Sequence, residues 1–412
     1  MQTVNVAVMG HGVVGSGVVE VLLSHDKSIA VKAKSNINVK YILDLRDFPG
    51  LDYSDRFIKD FDLILKDDSI KVVVEVMGGI HPAYDYVKAC LEAGKSVCTS
   101  NKELVAAYGA ELLKIAGEKN VNFLFEASVG GGIPVLRPIA QCLAANDLYE
   151  VFGILNGTTN FILTKMIKDN MSFDDALALA QQLGYAERNP SADVDGHDTC
   201  RKICILASLC FGKHVYPEQV RTEGITKITL SDVEYADIAG YVIKLIGYSK
   251  LLDDGKITAD VYPALVAKNN QLAGVDDVFN AVMVRGDAVG DVLFYGRGAG
   301  KLPTASAVVA DVIDCVKHLQ ARKYLSWDCG FEDYVVDSKT VKTRLYVRAE
   351  VDDTLDAKAN IFGIFDDAEF IIAGKDNNEV AFITPAGVEA ELKEKIASIK
   401  QLRNISVLHV LD

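Results

Sequence analysis

The sequence lacks several features that would place it at once in a broad class of protein. No uncharged apolar run reaches the roughly 18 residues that a membrane-spanning helix needs. Residues 1–9 have no basic region and no long apolar stretch, and Gly10 and Gly12 follow directly, so we expect no signal peptide. These absences predict a protein without a membrane partner.

Positive charge and paired cysteines are also scarce. The chain has 43 Lys and Arg against 57 Asp and Glu, a net charge of −14, whereas nucleic-acid binding needs clustered cations that displace counterions. The eight cysteines lie mostly in apolar stretches and lack the spacing of a zinc site or a secreted disulfide framework. We therefore expect no nucleic-acid partner, and reduced thiols in a cytoplasmic protein.

What the sequence contains is a long, folded chain. The composition, 50% hydrophobic and 24% charged, is that of a folded globular protein. A chain of 412 residues is too long for one ordinary hydrophobic core, so we predict two or three domains. In the first third, short β-branched runs alternate with helical patterns, which is typical of a parallel sheet covered by helices. The predicted strands are 4–9, 39–43, 72–77, 96–99 and 121–126, and the predicted helices are 13–24, 82–93 and 103–119. This order favours a Rossmann-type, doubly wound parallel sheet.

The pattern changes near residue 133. A long helix at 134–144 and a strand at 150–155 are followed by several helices and by strands at 257–265, 277–285 and 292–295, which indicates an α+β substrate domain over 134–299. The apolar helix predicted at 305–319 is long enough to pack back on the first sheet. We therefore predict a discontinuous dinucleotide-binding domain, 1–133 with 300–335.

The last 70 residues form a further pattern. Strand, helix, strand, strand, helix and strand are predicted at 344–351, 358–365, 369–373, 379–384, 388–400 and 405–411. That order is the ferredoxin-like arrangement. A separate small module is expected over 340–412.

A glycine motif follows the first strand. Gly10, Gly12 and Gly15 form G-x-G-x-x-G at the start of a helix, where they permit a tight turn, approach of the pyrophosphate and close helix packing. This context predicts a dinucleotide site. After the second strand, Asp44 would accept a hydrogen bond from a ribose 2′-hydroxyl and favour NAD, whereas Arg46 could pair with the 2′-phosphate of NADP. The two residues favour different cofactors about equally, so the choice between NAD and NADP stays open at this point.

Two further stretches carry candidate chemistry. Lys102 follows the strand at 96–99, at the carboxyl edge where open α/β sheets place ligands, although an isolated lysine there is more often a surface residue. Downstream, the carboxylates of Glu187, Asp193 and Asp198 precede Lys202, which lies i,i+4 to Asp198 on an otherwise apolar helix. Such a pocket suits a cationic amino group and a proton-transferring lysine. His197 is interpreted as a hydrogen-bonding loop residue.

At these residues the sequence resembles the homoserine dehydrogenase family along nearly its whole length. The matching stretches are Gly10 to Gly15, Asn101-Lys102, Glu126 to Pro134, Leu155 to Phe161, Gly184 to Lys202 and Gly298 to Thr304. The resemblance implies NAD(P)-dependent interconversion of L-homoserine and L-aspartate 4-semialdehyde, in the biosynthesis of threonine, methionine and isoleucine.

The resemblance also implies roles for individual residues. Lys102 and Lys202 would be catalytic, one of them as the general acid and base. The other positions are of three kinds: substrate-binding Asn156, Gly157, Thr158, Tyr185, Glu187, Asp193 and Asp198; cofactor-binding Gly10, His11, Gly12, Val13, Val14, Gly15, Arg46, Asn101 and Lys102; and Glu126, Val129, Gly131 and Ile133, whose backbone carbonyls would hold a structural sodium ion.

The tail is similar to an ACT domain, a small amino-acid-sensing module, which would imply feedback by threonine. Residues 352–356, Asp-Asp-Thr-Leu-Asp, depart from that pattern because they lack the usual Pro-Gly pair. The resemblance to the homoserine dehydrogenase family also implies a homodimer or homotetramer, with dimerisation through the domain over 134–299.

Two rival hypotheses remain at this point. An aspartate-semialdehyde dehydrogenase would need a thiolate nucleophile, for which Cys98 is the candidate, but the cluster from Glu187 to Lys202 would then be unexplained. A non-catalytic sensor of nucleotide and amino acid should have lost the reacting residues, yet both lysines are present.

Overall fold

The structure, a computed structural model, describes residues 2–321, 325–373 and 378–411. The chain divides into two compact units, one formed by Met1–Val151, Cys204–Pro217 and Val282–Phe331, the other by Phe152–Ile203, Glu218–Ala281 and Glu332–Asp412. The predicted domain ranges 300–335 and 340–412 include residues 322–324, 374–377 and 412, which lie outside the described residues. The predicted domain boundaries remain a prediction.

The helices and strands follow the chain in this order. The helices are α1 Val13–Ser24, α2 Asp26–Ala33, α3 Asp62–Leu65, α4 Ala83–Glu92, α5 Lys102–Glu118, α6 Gly157–Asp169, α7 Phe173–Gln182, α8 Ser191–Val194, α9 His197–Phe211, α10 Leu230–Ile238, α11 Lys301–Lys317, α12 Thr354–Ile364 and α13 Glu389–Ser398. The strands are β1 Thr3–Met9, β2 Asn36–Leu43, β3 Phe57–Ile58, β4 Ile70–Glu75, β5 Ser96–Thr99, β6 Phe123–Leu124, β7 Leu148–Ile154, β8 Arg221–Thr222, β9 Tyr241–Leu251, β10 Ile257–Ala267, β11 Phe279–Gly286, β12 Gly290–Arg297, β13 Lys342–Glu350, β14 Glu369–Ile371, β15 Glu379–Ile383, β16 Gly387–Val388 and β17 Arg403–Leu411.

The first unit contains a six-stranded parallel sheet in the order β3-β2-β1-β4-β5-β6. Its central strands are almost wholly buried, as expected for a parallel sheet covered on both faces. β2 and β4 lie on opposite sides of β1, so the strand order reverses there and opens a crevice at the carboxyl edge. The predicted doubly wound sheet is confirmed.

Helix α11 closes the core of this sheet. Its apolar face, including Val308 and Val312, joins Val18 and Leu22 of α1 in one buried cluster with β1 and β4. Gly17 of α1 lies so close to α11 that an added Cβ would be 3.0 Å from the carbonyl oxygen of Lys301. A helix near residue 300 therefore completes a layer that begins near residue 13.

The long helix predicted at 134–144 is wrong in extent. The helical turns begin only at Leu136 and end in a short π-helix, Pro138–Cys142. Proline at 138 has no N–H to donate to an earlier carbonyl, so the regular α-helical ladder cannot form there.

In the second unit, β9, β10, β17, β13, β15 and β14 are successive neighbours in a mixed sheet. β9 and β10 form an eleven-residue antiparallel ladder, and β17 pairs in parallel with β10 at residues 409–411. Strand β9 was not predicted. Within residues 2–321, 325–373 and 378–411, no helix is long and apolar enough to cross a membrane.

The C-terminal elements have the predicted ferredoxin-like order, with strands arranged β17-β13-β15-β14 and joined by antiparallel ladders. Helices α12 and α13 cover one face, where Phe365, Ile361 and Ile396 pack on Leu345 and Phe382. β17 also pairs in parallel with β10, so the sheet continues from these elements into the rest of the second unit, with which the contacts group 332–412. The separate small module over 340–412 remains a prediction.

Candidate functional site

The three motif glycines occupy the turn between β1 and α1. Gly10 has φ +99°, and a Cβ on Gly15 would lie 2.0 Å from the carbonyl oxygen of Gly10. Gly12 precedes the first turn of α1, and a Cβ there would meet nothing within 4 Å. The first and third glycines are thus required by the fold, while the second leaves open space at a helix N-terminus, where a pyrophosphate would be bound by backbone N–H groups. His11, Val13 and Val14 lie between them.

Asp44 and Arg46 follow β2 at the same edge of the sheet. The Arg46 guanidinium donates to both Asp44 oxygens, from Nε at 3.0 Å and from Nη2 at 2.9 Å, and the backbone N–H groups of Arg46 and His11 donate to the same carboxylate. These bonds hold the pKa of Asp44 well below its usual range, led by the side-chain bond from Arg46. Sequence reasoning weighed the two residues as alternatives, whereas the fold joins them into one pair.

His11 is itself part of this corner. Its ring is packed among Phe48, Tyr53 and Phe57, and Nε2 lies 3.2 Å from the Tyr53 hydroxyl. Burial lowers the pKa of His11 below its usual value. A neutral ring beside the glycine turn is therefore favoured.

Asn101 and Lys102 lie where β5 gives way to α5. The Asn101 side chain accepts the N–H of Leu104 at 3.1 Å and so caps the helix, while its amide donates to the carbonyl of Gly79. Lys102 is the first helical residue and is half-buried. The cap fixes the backbone from which the lysine side chain extends.

Glu75, which sequence reasoning missed, ends β4 next to this position. Its fully buried carboxylate accepts the Thr99 hydroxyl at 2.6 Å and the N–H of Met77 at 2.8 Å, and burial raises its pKa. An acidic residue that ends a buried strand at a ligand-binding edge was the available signal. Glu75 shapes the turn after β4, beside Gly10.

The loop from Glu126 to Ile133 is buried in the first unit. Gly131 has φ +57°, and a Cβ there would lie 2.2 Å from the carbonyl oxygen of Gly298. Backbone hydrogen bonds in this loop use the carbonyl of Gly130, and those within the described residues include none to the carbonyls of Val129, Gly131 or Ile133. Buried carbonyls of this kind suit a hard monovalent cation.

The side chain of Glu126 has a different partner set. Its carboxylate accepts the N–H groups of Val135, Leu136 and Arg137 at 2.6, 2.8 and 2.8 Å, which caps the helical turns that follow. Only its backbone carbonyl is thus available for the predicted cation site.

Four of the predicted residues come together in the second unit. The Asn156 amide donates to Asp193 at 2.7 Å and to Asp198 at 2.9 Å, while the Lys202 ammonium lies 2.8 Å from Asp198 and donates to the carbonyl of Leu155 at 2.7 Å. Asp198, Asn156 and Lys202 are buried, and Asp193 is half-buried. The predicted i,i+4 pair on α9 therefore exists, within a polar cluster that it shares with the N-terminus of α6.

The other predicted substrate residues surround this cluster less closely. Thr158 donates from its hydroxyl to the carbonyl of Tyr185 at 2.7 Å, whereas the side chains of Tyr185 and Glu187 are exposed. Gly157 contacts the backbone at Val278, whose carbonyl oxygen would be 2.8 Å from an added Cβ. His197 is exposed and is the first residue of α9, so it lies in the helix and not in the preceding loop, and its hydrogen-bonding role stays a prediction.

Two further observations concern the thiol of Cys98 and the grouping of side chains that can bind a metal ion. Burial raises the pKa of Cys98 well above its ordinary value, and its sulfur lies 3.6 Å from that of Cys315, so Cys98 is unsuited to act as a thiolate nucleophile. In the part of the chain that the structure describes, no group of three or more His, Cys, Asp or Glu side chains could hold a metal ion.

A Rossmann-type sheet with an open glycine turn, together with a buried lysine–carboxylate cluster, defines a nicotinamide-nucleotide-dependent oxidoreductase. Residues 10–126 match the family model for the homoserine dehydrogenase NAD-binding domain, and residues 134–313 match the model for homoserine dehydrogenase. The chain is 35% identical over 417 residues to the homoserine dehydrogenase of Bacillus subtilis, a match that covers 98% of this chain and 96% of the relative.

Solved structures give the same result. A homoserine dehydrogenase from Thiobacillus denitrificans superposes with a TM-score of 0.88 at 33% identity, covering 100% of this chain and 99% of that one. A hyperthermophilic archaeal homoserine dehydrogenase mutant in complex with NADPH has a TM-score of 0.65 at 28% identity and covers 76% of this chain and 98% of that chain. The chain belongs to the homoserine dehydrogenase family, and its reaction is the nicotinamide-dependent interconversion of L-homoserine and L-aspartate 4-semialdehyde. Neither rival hypothesis survives this assignment.

Proposed function

We propose that Lys102 and Lys202 are the catalytic lysines and that one of them exchanges the proton of the homoserine hydroxyl. The observation that carries this is the cluster of buried Asn156, Asp198 and Lys202 with half-buried Asp193, because Asp198 holds the Lys202 ammonium 2.8 Å away in one orientation. The nicotinamide, when bound, accepts or returns the hydride. On oxidation of homoserine, the carbinol carbon loses a hydride, the hydroxyl loses its proton to whichever of the two lysines is in its neutral amine form, which becomes an ammonium, and an aldehyde remains.

Asp193 and Glu187 would bind the substrate ammonium. Asp193 is half-buried and already oriented by the Asn156 amide at 2.7 Å, so a cation beside it would meet a fixed carboxylate. Asn156, Gly157, Thr158 and Tyr185 would line the same region around the N-terminus of α6.

The test is the absorbance of the reduced nicotinamide, followed with purified protein, homoserine and oxidised cofactor. We expect Lys202→Met to lower kcat by about 10² to 10⁴, the usual range for loss of a general acid–base group. Lys165→Met is the matched control, because it also breaks an i,i+4 pair, Lys165–Asp169, on a helix of the same unit. Unchanged turnover in folded Lys202→Met would refute the role of this lysine.

We infer that NADP is preferred to NAD. The two Asp44 oxygens accept four hydrogen bonds, from Arg46 and from the N–H of His11, which fills the lone pairs that a ribose 2′-hydroxyl would need. Arg46 is 62% exposed and keeps further N–H donors for a 2′-phosphate. The archaeal relative in complex with NADPH supports the same choice.

Further proposals concern a bound cation, the C-terminal module, the assembly of the protein and its compartment. The carbonyls of Glu126, Val129, Gly131 and Ile133 would hold a structural sodium ion, as the buried loop suggests. The C-terminal ferredoxin-like module would be an ACT domain with threonine as effector, and the protein would assemble as a homodimer or homotetramer. All eight cysteines are free thiols, which suits a reducing cytoplasm.

A further inference from the structure

The acidic segment that contains Asp193 rests directly on a short piece of chain that starts at Arg221. The N–H of Ile225 donates to the carbonyl of Val194 at 2.9 Å. Gly224 is so close that an added Cβ would lie 2.0 Å from the Val194 carbonyl oxygen and 2.5 Å from the Asp195 Cα. Residues 221–225 therefore form the floor of the turn that follows Asp193.

The same contact continues on the other side of the turn. Gly196 has φ +87°, and an added Cβ would lie 3.0 Å from the Thr222 methyl carbon. Because Asp193 is also tied to the Asn156 amide, it is held between α6 and the 221–225 floor. A shift of this floor would change where the Asp193 carboxylate points.

The floor has few backbone bonds of its own. β8 pairs with β10 at only two residues, and the N–H of Glu223 adds one bond to the carbonyl of Val261. The side chain of Arg221 supplies a further attachment: Nε donates to Asp260 at 3.1 Å, and Nη1 and Nη2 donate to the two oxygens of Glu389 at 2.6 and 2.9 Å. A bidentate pair of this kind fixes direction as well as distance.

Glu389 is the first residue of α13, in the C-terminal ferredoxin-like module, and is 1% exposed. Although burial opposes its ionisation, hydrogen bonds from Arg221 and Lys393 lower the pKa of Glu389 to about 2. The carboxylate is therefore charged at every pH at which the enzyme would be assayed.

We propose that Arg221 is a positioning residue for the substrate ammonium site, held in place by Glu389 of the C-terminal module and acting on Asp193 through residues 222–225. This inference rests on the proposed role of Asp193. It means that the C-terminal module contributes to homoserine binding through a direct ion pair.

The test is steady-state kinetics of the full-length protein with Arg221→Met and Glu389→Gln. A misplaced binding group typically costs tenfold or more, so we expect the KM for homoserine to rise about tenfold in both variants. We expect kcat to stay within about twofold, because Lys202 keeps its own contacts with Asp198 and the carbonyl of Leu155, and the KM for NADP to be unchanged, because the nucleotide unit is not altered. Arg221→Lys should restore part of the homoserine KM.

Arg348→Met is the matched control. Arg348 also joins the C-terminal module to the rest of the second unit through a buried pair, with Asp232 at 2.8 Å, but its partners Asp232 and Thr229 lie at the start of α10. A merely structural role for Arg221 predicts equal effects in the two arginine variants, and that result would overturn the proposal. A homoserine KM that rises only in Arg221→Met and Glu389→Gln supports it.

Asp193→Asn separates this inference from the function on which it rests. If Asp193→Asn raises the homoserine KM while folded Arg221→Met and Glu389→Gln do not, the positioning role is wrong and the proposed substrate site stands. If Asp193→Asn leaves that KM unchanged, the substrate role of Asp193 fails, and the positioning proposal fails with it. Glu389→Gln keeps the size of the side chain, so its homoserine KM tests the positioning role if Arg221→Met does not fold.

Discussion

At the scale of single residues, the pair Asp44–Arg46 shows why a motif can mislead when its members are considered one by one. Asp44 alone favours NAD and Arg46 alone favours NADP. In the folded protein, Arg46 takes up both oxygens of Asp44, and only the exposed guanidinium still offers donors to a ligand. The proposed preference for NADP rests on this local geometry, which residue order does not specify.

Arg46→Ala tests this reading. We expect kcat/KM with NADP to fall about 10- to 100-fold, because a charge-assisted hydrogen bond contributes roughly 1.5 to 3 kcal/mol and about 1.4 kcal/mol corresponds to tenfold. Catalysis with NAD should be unchanged or improved, since Asp44 regains lone pairs for a 2′-hydroxyl. Arg403→Ala, which breaks another exposed Arg–Asp pair, should change neither; equal losses with both cofactors would contradict the assignment.

At the scale of elements, the parallel sheet of the first unit was largely predictable, whereas one long strand and one irregular helix elsewhere were not. The strands and helices of the first sheet follow from alternating apolar runs and cap residues such as Asn101. The eleven-residue strand β9 was missed. The helix at 134–144 was overextended because neither Pro138 nor the capping carboxylate of Glu126 enters a periodicity argument. Arg221 and Glu389, 168 residues apart, gave no sequence signal of their pairing.

Helix α11 carries a buried carboxyl group that links it to the Glu126 loop. Asp311 accepts the N–H of Glu126 at 2.9 Å and pairs with Arg137 at 2.5 Å. Burial, with Glu126 nearby, raises the pKa of Asp311 to about 8, against the opposing effect of Arg137. An Asp in an unfolded chain titrates near 3.8.

Between these two values the folded protein holds a proton that the unfolded chain has released, so this group lowers stability as the pH rises from about 4 to 8. We expect Asp311→Asn to remove that slope, which is at most about 1.4 kcal/mol per pH unit for one proton. The measurement is urea unfolding at several pH values in this window, followed by the fluorescence of Trp327, the one tryptophan of the sequence. Asp169→Asn is the control, and a slope that survives in Asp311→Asn would contradict the prediction.

At the scale of the whole molecule, the C-terminal module is not an appendage of the second unit. Its strand order could be predicted from the alternation of elements, but its attachment could not, because the β10–β17 ladder joins residues 145 positions apart, such as Ala264 and His409. The ion pair between Arg221 and Glu389 adds a second attachment. A ligand that binds the C-terminal module therefore binds the same compact unit that contains the proposed substrate cluster.

Threonine should show this coupling. We expect millimolar L-threonine to lower the homoserine-dependent rate and to raise the thermal midpoint of the second unit, since a ligand at a hundred times its Kd stabilises the folded state by about 2.7 kcal/mol. L-valine, which replaces the hydroxyl by a methyl group, is the matched control. A rate and a midpoint indifferent to threonine would remove the proposed effector.

The place of β17 in the sheet also affects how the chain is made. β10 is complete at Ala267, but the strand that covers its edge begins only at Arg403. At about 5 to 20 residues per second, a ribosome needs on the order of ten seconds to translate the segment between them. During that interval residues 264–266 of β10 lack their partner strand and leave backbone groups unpaired on one edge, a template for pairing with other nascent chains. The second unit must therefore finish folding after its last strand leaves the exit tunnel, and chaperones that shield β10 until then would raise the yield of active enzyme.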